Sequence, residues 1–120
     1  MQGRTPRPAT ARSVLRRASG AITWIDARRA IIAKTAPAGA IDVETVAAET
    51  EGDGRTYLAR VAHEIGDRDR VVIMGPGDLR TMLEREYVTI SHRPDRLVDV
   101  EPSGPVTEEE LVRRLRRLVS

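Results

Sequence analysis

The segment Arg70-Val-Val-Ile-Met-Gly-Pro-Gly-Asp-Leu-Arg-Thr-Met-Leu-Glu-Arg-Glu-Tyr87 combines an apolar run, a tight turn and an amphipathic helix. Four consecutive apolar residues, Val71 to Met74, are typical of a strand that is buried on both faces. Such a strand is normally an inner, parallel strand of an α/β sheet. The turn then opens a helix for which Asp78 is the predicted N-cap. The residues predicted to face inward from this helix are Leu79, Met82 and Leu83.

The Gly-Pro-Gly-Asp turn is also the first place where we expect a binding site. Ligands of α/β sheets usually lie at the carboxyl ends of the strands, and the free N–H groups at a helix N-terminus attract anions. The alternative is a tight turn with a helix cap and no ligand, because the segment lacks the Lys-Ser/Thr pair of a P-loop and a complete dinucleotide motif. The residues predicted to bind an anion or phosphate are Gly75, Gly77, Asp78 and Arg80.

The composition indicates one soluble domain. Of the 120 residues, 40% are hydrophobic and 32% are charged, and no apolar run is long enough to cross a bilayer. The chain has no cysteine, which excludes disulfides and thiolate metal sites. We therefore expect a cytoplasmic protein that contacts no membrane and has no cofactor and no metal site.

Positive charge is concentrated at the start of the chain. Residues 1–20 contain five arginines and no acidic residue, whereas the whole chain has a net charge of +2. We expect residues 1–20 to be a basic, disordered leader and residues 21–120 to be a single domain. Guanidinium groups pair well with phosphate, so the leader is a candidate for RNA contact, and a solvated tail without a partner is the alternative. The leader residues proposed for RNA contact are Arg12, Arg16 and Arg17.

The hydrophobic periodicity predicts the element order β-β-β-α-β-α-β-α. The first two strands are separated by only two residues, which favours a tight antiparallel hairpin. Three antiparallel strands followed by alternating helices and strands describe an α/β domain with a mixed five-stranded sheet and helices on its faces, the order of the ribonuclease H-like fold. The predicted strands are 21–26, 29–35, 41–48, 71–74 and 96–100, and the predicted helices are 55–65, one that starts at 78, and 107–119.

The final helix has the clearest start signal, because Thr107 and Glu110 match a Thr-x-x-Glu capping box. Its arginines lie opposite its apolar stripe and are further candidates for RNA contact. The alternative is structural, because Glu109 and Glu110 each precede an arginine by four residues, the spacing of helical ion pairs. The candidate RNA-contact residues of this helix are Arg113, Arg114, Arg116 and Arg117.

Aromatic residues are few: Trp24, Tyr57 and Tyr87, with no phenylalanine. Recognition of single-stranded nucleic acid normally uses aromatic stacking platforms, so their scarcity argues against a sequence-reading RNA module. We expect Trp24 in the core, and the two tyrosines over sheet edges with their hydroxyl groups in solvent.

Two motifs, taken together, resemble a known family. The segments Trp24-Ile-Asp-Ala-Arg-Arg-Ala30 and Val72-Ile-Met-Gly-Pro-Gly-Asp-Leu-Arg-Thr-Met-Leu83 resemble the middle domain of archaeal and eukaryotic peptide-chain release factors, and in particular its small bacterial relatives of the "translational machinery protein" type. In the first motif, Ala27 and Arg29 replace the usual histidine and glutamate. The second contains the Gly-Pro-Gly that ends a strand in these proteins. The resemblance extends over residues 21–119.

The resemblance implies a ribonuclease H-like fold and a link to translation, without implying an activity. Release factors act through a Gly-Gly-Gln loop between the third strand and the first helix, where this chain has Glu49-Thr-Glu-Gly-Asp-Gly-Arg55. The only glutamine of the chain is Gln2, so we do not expect peptide release by that mechanism. We expect a non-catalytic, translation-associated binding or adaptor module that contacts RNA or the ribosome.

Two other classes of function stay open. One is an enzyme, either a degenerate peptidyl-tRNA hydrolase that acts through the Gly52–Gly54 loop or a metal-dependent nuclease that uses Asp26, Glu64 and Asp78. The other is a homo-oligomeric structural or interaction protein, joined through an uncovered sheet edge or helix face.

Overall fold

A computed structural model of the chain describes residues 18–49 and 54–120. These residues form five strands and three α-helices in the predicted order β-β-β-α-β-α-β-α. Residues 1–17 of the predicted leader, including Arg12, Arg16 and Arg17, lie outside the described residues. The strands are β1 (Gly20–Ile25), β2 (Arg29–Thr35), β3 (Ile41–Ala47), β4 (Arg70–Gly75) and β5 (Leu97–Pro102), and the helices are α1 (Arg55–Ile65), α2 (Leu79–Ser91) and α3 (Glu108–Val119).

The strands form one mixed sheet in the order β3-β2-β1-β4-β5. β2 is antiparallel to both of its neighbours, whereas β1, β4 and β5 run parallel to one another. The apolar strand β4 lies between β1 and β5, which confirms the prediction that it is an inner, parallel strand. The topology confirms the α/β class and the ribonuclease H-like arrangement of the sheet.

Helices α1 and α2 cover one face of the sheet. The predicted helix 55–65 is confirmed; its apolar stripe is buried, and Gly66 ends the helix with φ +68°. Alternate residues of the inner strands point into the same core because side chains alternate across a strand. The buried residues of this face include Ala21, Ile25, Ile32, Val71 and Ile73 from the sheet and Tyr57, Leu58, Val61, Ala62 and Ile65 from α1.

Helix α3 covers the opposite face. Trp24 is buried there among the apolar residues of α3, Leu111, Leu115 and Val119, as the sequence predicted for the indole. The capping box at the start of α3 is also confirmed, with the Thr107 hydroxyl accepting from the Glu110 backbone N–H at 3.1 Å. No helix within residues 18–49 and 54–120 is long and apolar enough to cross a membrane.

The inner face of α2 differs from the prediction at one position. Leu83 is buried and Leu79 is partly buried against the core, but the Met82 side chain is 44% exposed. Tyr87 is buried instead, one turn after Leu83. The inward stripe therefore follows the four-residue spacing from Leu79 through Leu83 to Tyr87, and Met82 is rotated away from it by about 100°.

The expectation of solvent-exposed tyrosine hydroxyls is wrong. Tyr57 and Tyr87 are both buried. The Tyr57 hydroxyl donates to the backbone oxygen of Asp26 at 3.0 Å, and the Tyr87 hydroxyl donates to that of Gly66 at 3.3 Å. Burial raises the pKa of both phenols, because it disfavours the charged phenolate. Each tyrosine thus satisfies its polar group within the protein, as buried tyrosines usually do.

We predict that Thr23→Val stabilises the domain by about 1 kcal/mol. Thr23 on β1 is fully buried, and its Oγ1 has no hydrogen-bond partner among the described residues. Valine has almost the same shape and removes a hydroxyl that is desolvated without compensation. Urea unfolding followed by tryptophan fluorescence would measure the change, with Thr45→Val at an exposed position of β3 as the control. A loss of stability in Thr23→Val alone would contradict the prediction.

Candidate functional site

The fold brings the two motifs of the sequence together at one edge of the sheet. β1 and β4 are parallel neighbours, with Trp24 paired to Met74, so their carboxyl ends lie side by side. The segments that follow them, residues 26–28 and 76–79, line an open cleft of about 510 Å³. The chain order runs outward from β1 to β2 and β3 on one side and from β4 to β5 on the other. The cleft therefore lies where the strand order reverses, the usual ligand position in open α/β sheets.

Gly75 sets the distance between the two strand ends. Its φ is +150°, and a Cβ atom at this position would lie 2.1 Å from the backbone oxygen of Ile25. Only glycine permits this approach, because real Cβ atoms never come so close to another heavy atom. The Gly75 oxygen accepts hydrogen bonds from the Ser103 backbone N–H at 3.1 Å and from the Arg80 guanidinium at 3.3 Å. The turn after β4 is thus held against both neighbouring strands.

Asp26 shapes the opposite wall of the cleft. Its Oδ1 accepts from the backbone N–H groups of Arg28 at 2.8 Å and Arg29 at 2.9 Å, which closes the β1–β2 hairpin. Its backbone oxygen accepts from Tyr57 of α1. The carboxylate therefore performs the turn-forming role that short acidic side chains often have.

Asp78 stands at the N-cap position of α2, but its side chain makes no capping hydrogen bond, contrary to the prediction. Its backbone has φ −95° and ψ −9°, close to helical values, whereas a capping residue is usually extended. Its backbone oxygen accepts from the N–H groups of Thr81 and Met82, each at 3.0 Å. The Asp78 carboxylate is exposed at the edge of the cleft.

Arg80 folds back onto the loop that precedes it. Its Nη1 donates to the backbone oxygens of Gly75 and Gly77. This contact brings together three of the four residues that the sequence predicts for anion binding, and it directs one end of the guanidinium to the loop carbonyls. An anion role for Gly75, Gly77, Asp78 and Arg80 stays a prediction.

The three carboxylates considered for a metal-dependent nuclease are not all brought together. Glu64 accepts from the Lys34 Nζ at 3.0 Å, near the end of β2. Lys34 is paired with Ala21 at the start of β1, whereas Asp26 follows the end of β1. Glu64 and Asp26 therefore lie at opposite ends of the sheet. In the described part of the chain, no group of three or more histidine and acidic residues could hold a metal ion.

Lys34 binds Glu64 at the end of the sheet opposite the cleft. Partial burial opposes its charge, but ion pairs with Glu44 at 2.7 Å and Glu64 at 3.0 Å outweigh that effect and raise the pKa of the lysine.

The loop considered for peptidyl-tRNA hydrolysis is described only at Gly54, because residues 50–53 lie outside the described residues.

The exposed arginines of α3 form a second candidate site, here called the arginine face and consisting of Arg113, Arg116 and Arg117. Within the described residues, no acidic side chain forms an ion pair with any of them. The expected helical pairs, Glu109 with Arg113 and Glu110 with Arg114, do not form. The Glu110 carboxylate accepts hydrogen bonds from Thr107 instead. These arginines are therefore not held in helical ion pairs, although bonds to Thr107 and the nearby charge of Arg113 both lower the pKa of Glu110.

Arg114 differs from its neighbours, because it binds Glu101 of β5. Its two terminal nitrogens donate to the two carboxylate oxygens at 2.8 and 3.1 Å, and Nη1 also lies 3.7 Å from the Met74 sulfur. The Arg114 bond lowers the pKa of Glu101, and the carboxylate raises the pKa of the guanidinium. Of the four arginines that the sequence proposes for RNA contact on α3, this one is engaged in holding α3 to the sheet.

The contribution of the Arg114–Glu101 ion pair to stability should change with pH. The folded pKa of Glu101 is lowered below its unfolded value, so the pair stabilises the fold above about pH 4.3 and loses its effect as the pH falls through the folded pKa. A double-mutant cycle with Glu101→Gln and Arg114→Gln should give a coupling free energy of about 1 kcal/mol at pH 7, since both side chains are about one-third exposed. Urea titrations at pH 7 and pH 3 test this, and equal coupling at both values would contradict it.

Two parts of these sites were missed from sequence. Arg28 lines the cleft, and its position two residues after Asp26, in the two-residue turn between β1 and β2, was a usable signal. Arg70 donates to the backbone oxygen of Leu118 at 2.7 Å and so places another exposed guanidinium at the end of α3. No local sequence signal connects Arg70 with α3, because 48 residues separate the two bonded groups.

Comparison with known proteins identifies structures with a similar fold but does not identify a family. No family model and no curated protein matches the sequence. Solved structures do match. Thermoplasma acidophilum Pelota has a TM-score of 0.61 at 16% identity, over 100% of this chain and 41% of that one.

Archaeoglobus fulgidus Pelota has a TM-score of 0.59 at 14% identity, over 94% of this chain and 35% of that one. The archaeal translation termination factor aRF1 has a TM-score of 0.59 at 12% identity, over 84% of this chain and 35% of that one. This chain has the fold of one part of these proteins. The chain spans 35–41% of their length, so its similarity to them covers one part of each protein and not the whole of it.

Proposed function

We propose that this domain is a non-catalytic, translation-associated binding or adaptor module that contacts RNA or the ribosome. The observation that carries the proposal is the shared fold with two Pelota proteins and with aRF1, which is a translation termination factor. The two motifs of the sequence that resemble the release-factor middle domain face each other across the cleft, which supports the same conclusion from separate residues.

The charge distribution supports a nucleic-acid partner. The arginine face and Arg70 present exposed guanidinium groups on one side of the domain. Guanidinium groups bind phosphate and release counterions, which supplies most of the affinity in sequence-independent contacts. In this proposal the leader arginines, Arg12, Arg16 and Arg17, add to that attraction.

A binding role is favoured over hydrolysis because the candidate catalytic groups have other roles. The Asp26 carboxylate closes a hairpin, and Glu64 is paired with Lys34 at the other end of the sheet. A metal-dependent nuclease needs its carboxylates around a shared ion.

The test is sedimentation of the full chain with ribosomes from the organism that encodes it. We expect the chain to pellet with ribosomes at about 50 mM salt and to be released progressively as salt rises, because phosphate contacts are salt-dependent. A chain lacking residues 1–17 should pellet less well but still detectably. Absence of the wild-type chain from the ribosome pellet at low salt would remove the proposal.

A parallel assay separates binding from catalysis. Peptidyl-tRNA and labelled RNA are incubated with the chain, with and without magnesium or manganese. The proposal predicts no turnover. Metal-dependent cleavage that is lost in Asp26→Asn would replace it with the nuclease alternative.

A further inference from the structure

The chain has no exposed tryptophan, tyrosine or phenylalanine on which a base could stack. Its single tryptophan and two tyrosines, Trp24, Tyr57 and Tyr87, are 3%, 4% and 1% exposed, and the sequence contains no phenylalanine. The indole N–H of Trp24 and both tyrosine hydroxyls are bonded to backbone oxygens inside the domain. Proteins that bind single-stranded RNA rely on such platforms, at about 1–3 kcal/mol per stacked base. This domain therefore lacks the large aromatic platforms on which such proteins hold unpaired bases.

The arginine face, in contrast, is presented on a rigid support. Leu111 and Leu115 on the inner side of α3 are fully buried, and a complete capping box fixes the start of the helix. The ion pair between Arg114 and Glu101 further anchors α3 to β5. Arg113 and Arg117 lie one turn apart, about 6 Å along the axis, with Arg116 beside them. The backbone positions of three cations are thus fixed on the exposed side of one helix.

The charge of α3 is polarised along its length. Its first turn contains Glu108, Glu109 and Glu110, whereas its basic residues occupy the later turns. Arg70 adds a guanidinium at the last turn through its bond to Leu118. A polyanion would be repelled by the first turn of the helix and attracted to the arginines that follow it, so the contact begins at Arg113, near the middle of α3.

We propose that the arginine face binds the sugar-phosphate backbone of double-helical RNA, rather than the bases of a single strand. The inference rests on the proposed function and assigns the kind of RNA that this domain would contact. Phosphates of a duplex are accessible without unstacking any base, and each contact releases more counterion from a duplex than from a single strand, about 0.9 against 0.7 per phosphate. Such binding does not read sequence, because double-helical RNA is recognised mainly by shape and backbone.

The experiment compares a 20-base-pair RNA duplex with one of its own strands, chosen to be unstructured. Binding to the full chain is measured by fluorescence anisotropy over a range of salt concentrations. We expect the duplex to bind at least about tenfold more tightly. In the variant Arg113→Gln/Arg116→Gln/Arg117→Gln we expect duplex affinity at low salt to fall by about tenfold or more, and the slope of log affinity against log salt to decrease by about 2 to 3.

The matched control is Arg55→Gln/Arg60→Gln/Arg85→Gln, which removes three exposed arginines from α1 and α2 on the other face of the sheet. It lowers the net charge equally and should retain the wild-type salt slope to within about one unit. Equal affinity for duplex and single strand, or an equal loss in both triple variants, would overturn the inference.

Failure of the inference is distinguishable from failure of the proposed function. If the chain sediments with ribosomes but does not prefer the duplex, the duplex inference is wrong and a ribosome-associated role stands. If the chain neither sediments with ribosomes nor binds RNA, both are wrong. Circular dichroism of both triple variants confirms that the fold is unchanged, as expected for exposed positions.

Discussion

Gly75→Ala is expected to destabilise the domain by about 3 kcal/mol or more. The added Cβ would lie 2.1 Å from the backbone oxygen of Ile25, and alanine would have to adopt φ +150°. The clashing atom belongs to the backbone of the central strand, so no side-chain rotation can relieve it. β1 and β4 would have to separate at the cleft, which breaks the parallel pairing that organises the sheet. Urea unfolding, followed by the fluorescence of the single tryptophan, measures the loss.

Two glycines serve as controls for this substitution. Gly77→Ala places a Cβ in open space but at φ +66°, and should cost about 1 kcal/mol. Gly104→Ala has open space and no left-handed backbone, and should change stability by no more than about 0.5 kcal/mol. If Gly75→Ala were no more destabilising than Gly77→Ala, the close approach of the strand ends would not be a determinant of the fold.

Trp24→Ala is expected to cost about 3–5 kcal/mol. The indole is 3% exposed beneath α3, in contact with the cluster that includes Leu111 and Leu115. Its Nε1–H donates to the backbone oxygen of Gly104 at 2.9 Å, which ties the loop before α3 to the sheet. The substitution leaves a large cavity and removes this bond. Far-ultraviolet circular dichroism in urea is the measurement, because the variant has no tryptophan.

Trp24→Phe separates packing from hydrogen bonding. Phenylalanine fills much of the cavity but cannot donate a hydrogen bond to Gly104. We expect the missing bond to lower stability by about 1–2 kcal/mol, in addition to the loss that the smaller side chain causes. A result for Trp24→Ala below about 1 kcal/mol would show that α3 does not depend on this contact.

Much of the fold is encoded locally and was predictable from the sequence. The hairpin between β1 and β2 follows from two short strands separated by two residues, and Asp26 closes it through its side chain. The start of α3 is set by the reciprocal bonds of Thr107 and Glu110, three residues apart. The apolar run of β4 indicated an inner strand because side chains on both of its faces are apolar, and both faces are indeed covered by helices.

Contacts between distant segments were not predictable in the same way. The bond from Arg114 to Glu101 replaces the helical pair that local spacing favoured, because a bidentate, partly buried partner on β5 holds a guanidinium better than an exposed glutamate one turn away. Tyr87 continues the four-residue spacing of Leu79 and Leu83, but the acceptor of its hydroxyl, the backbone oxygen of Gly66, lies 21 residues away in the sequence. The backbone bonds of Arg80 to Gly75 and Gly77 depend on a left-handed glycine turn that the sequence only suggests.

The central proposal, that this domain attaches to the translation apparatus through the arginine face of α3, is tested most directly by sedimentation of three 120-residue chains with ribosomes at about 50 mM salt. The chains are the wild type, the variant Arg113→Gln/Arg116→Gln/Arg117→Gln and the control variant Arg55→Gln/Arg60→Gln/Arg85→Gln. We predict that the wild type and the control variant sediment with ribosomes and that the α3 variant stays mainly in the supernatant. Sedimentation of the α3 variant to the same extent as the wild type would contradict the claim.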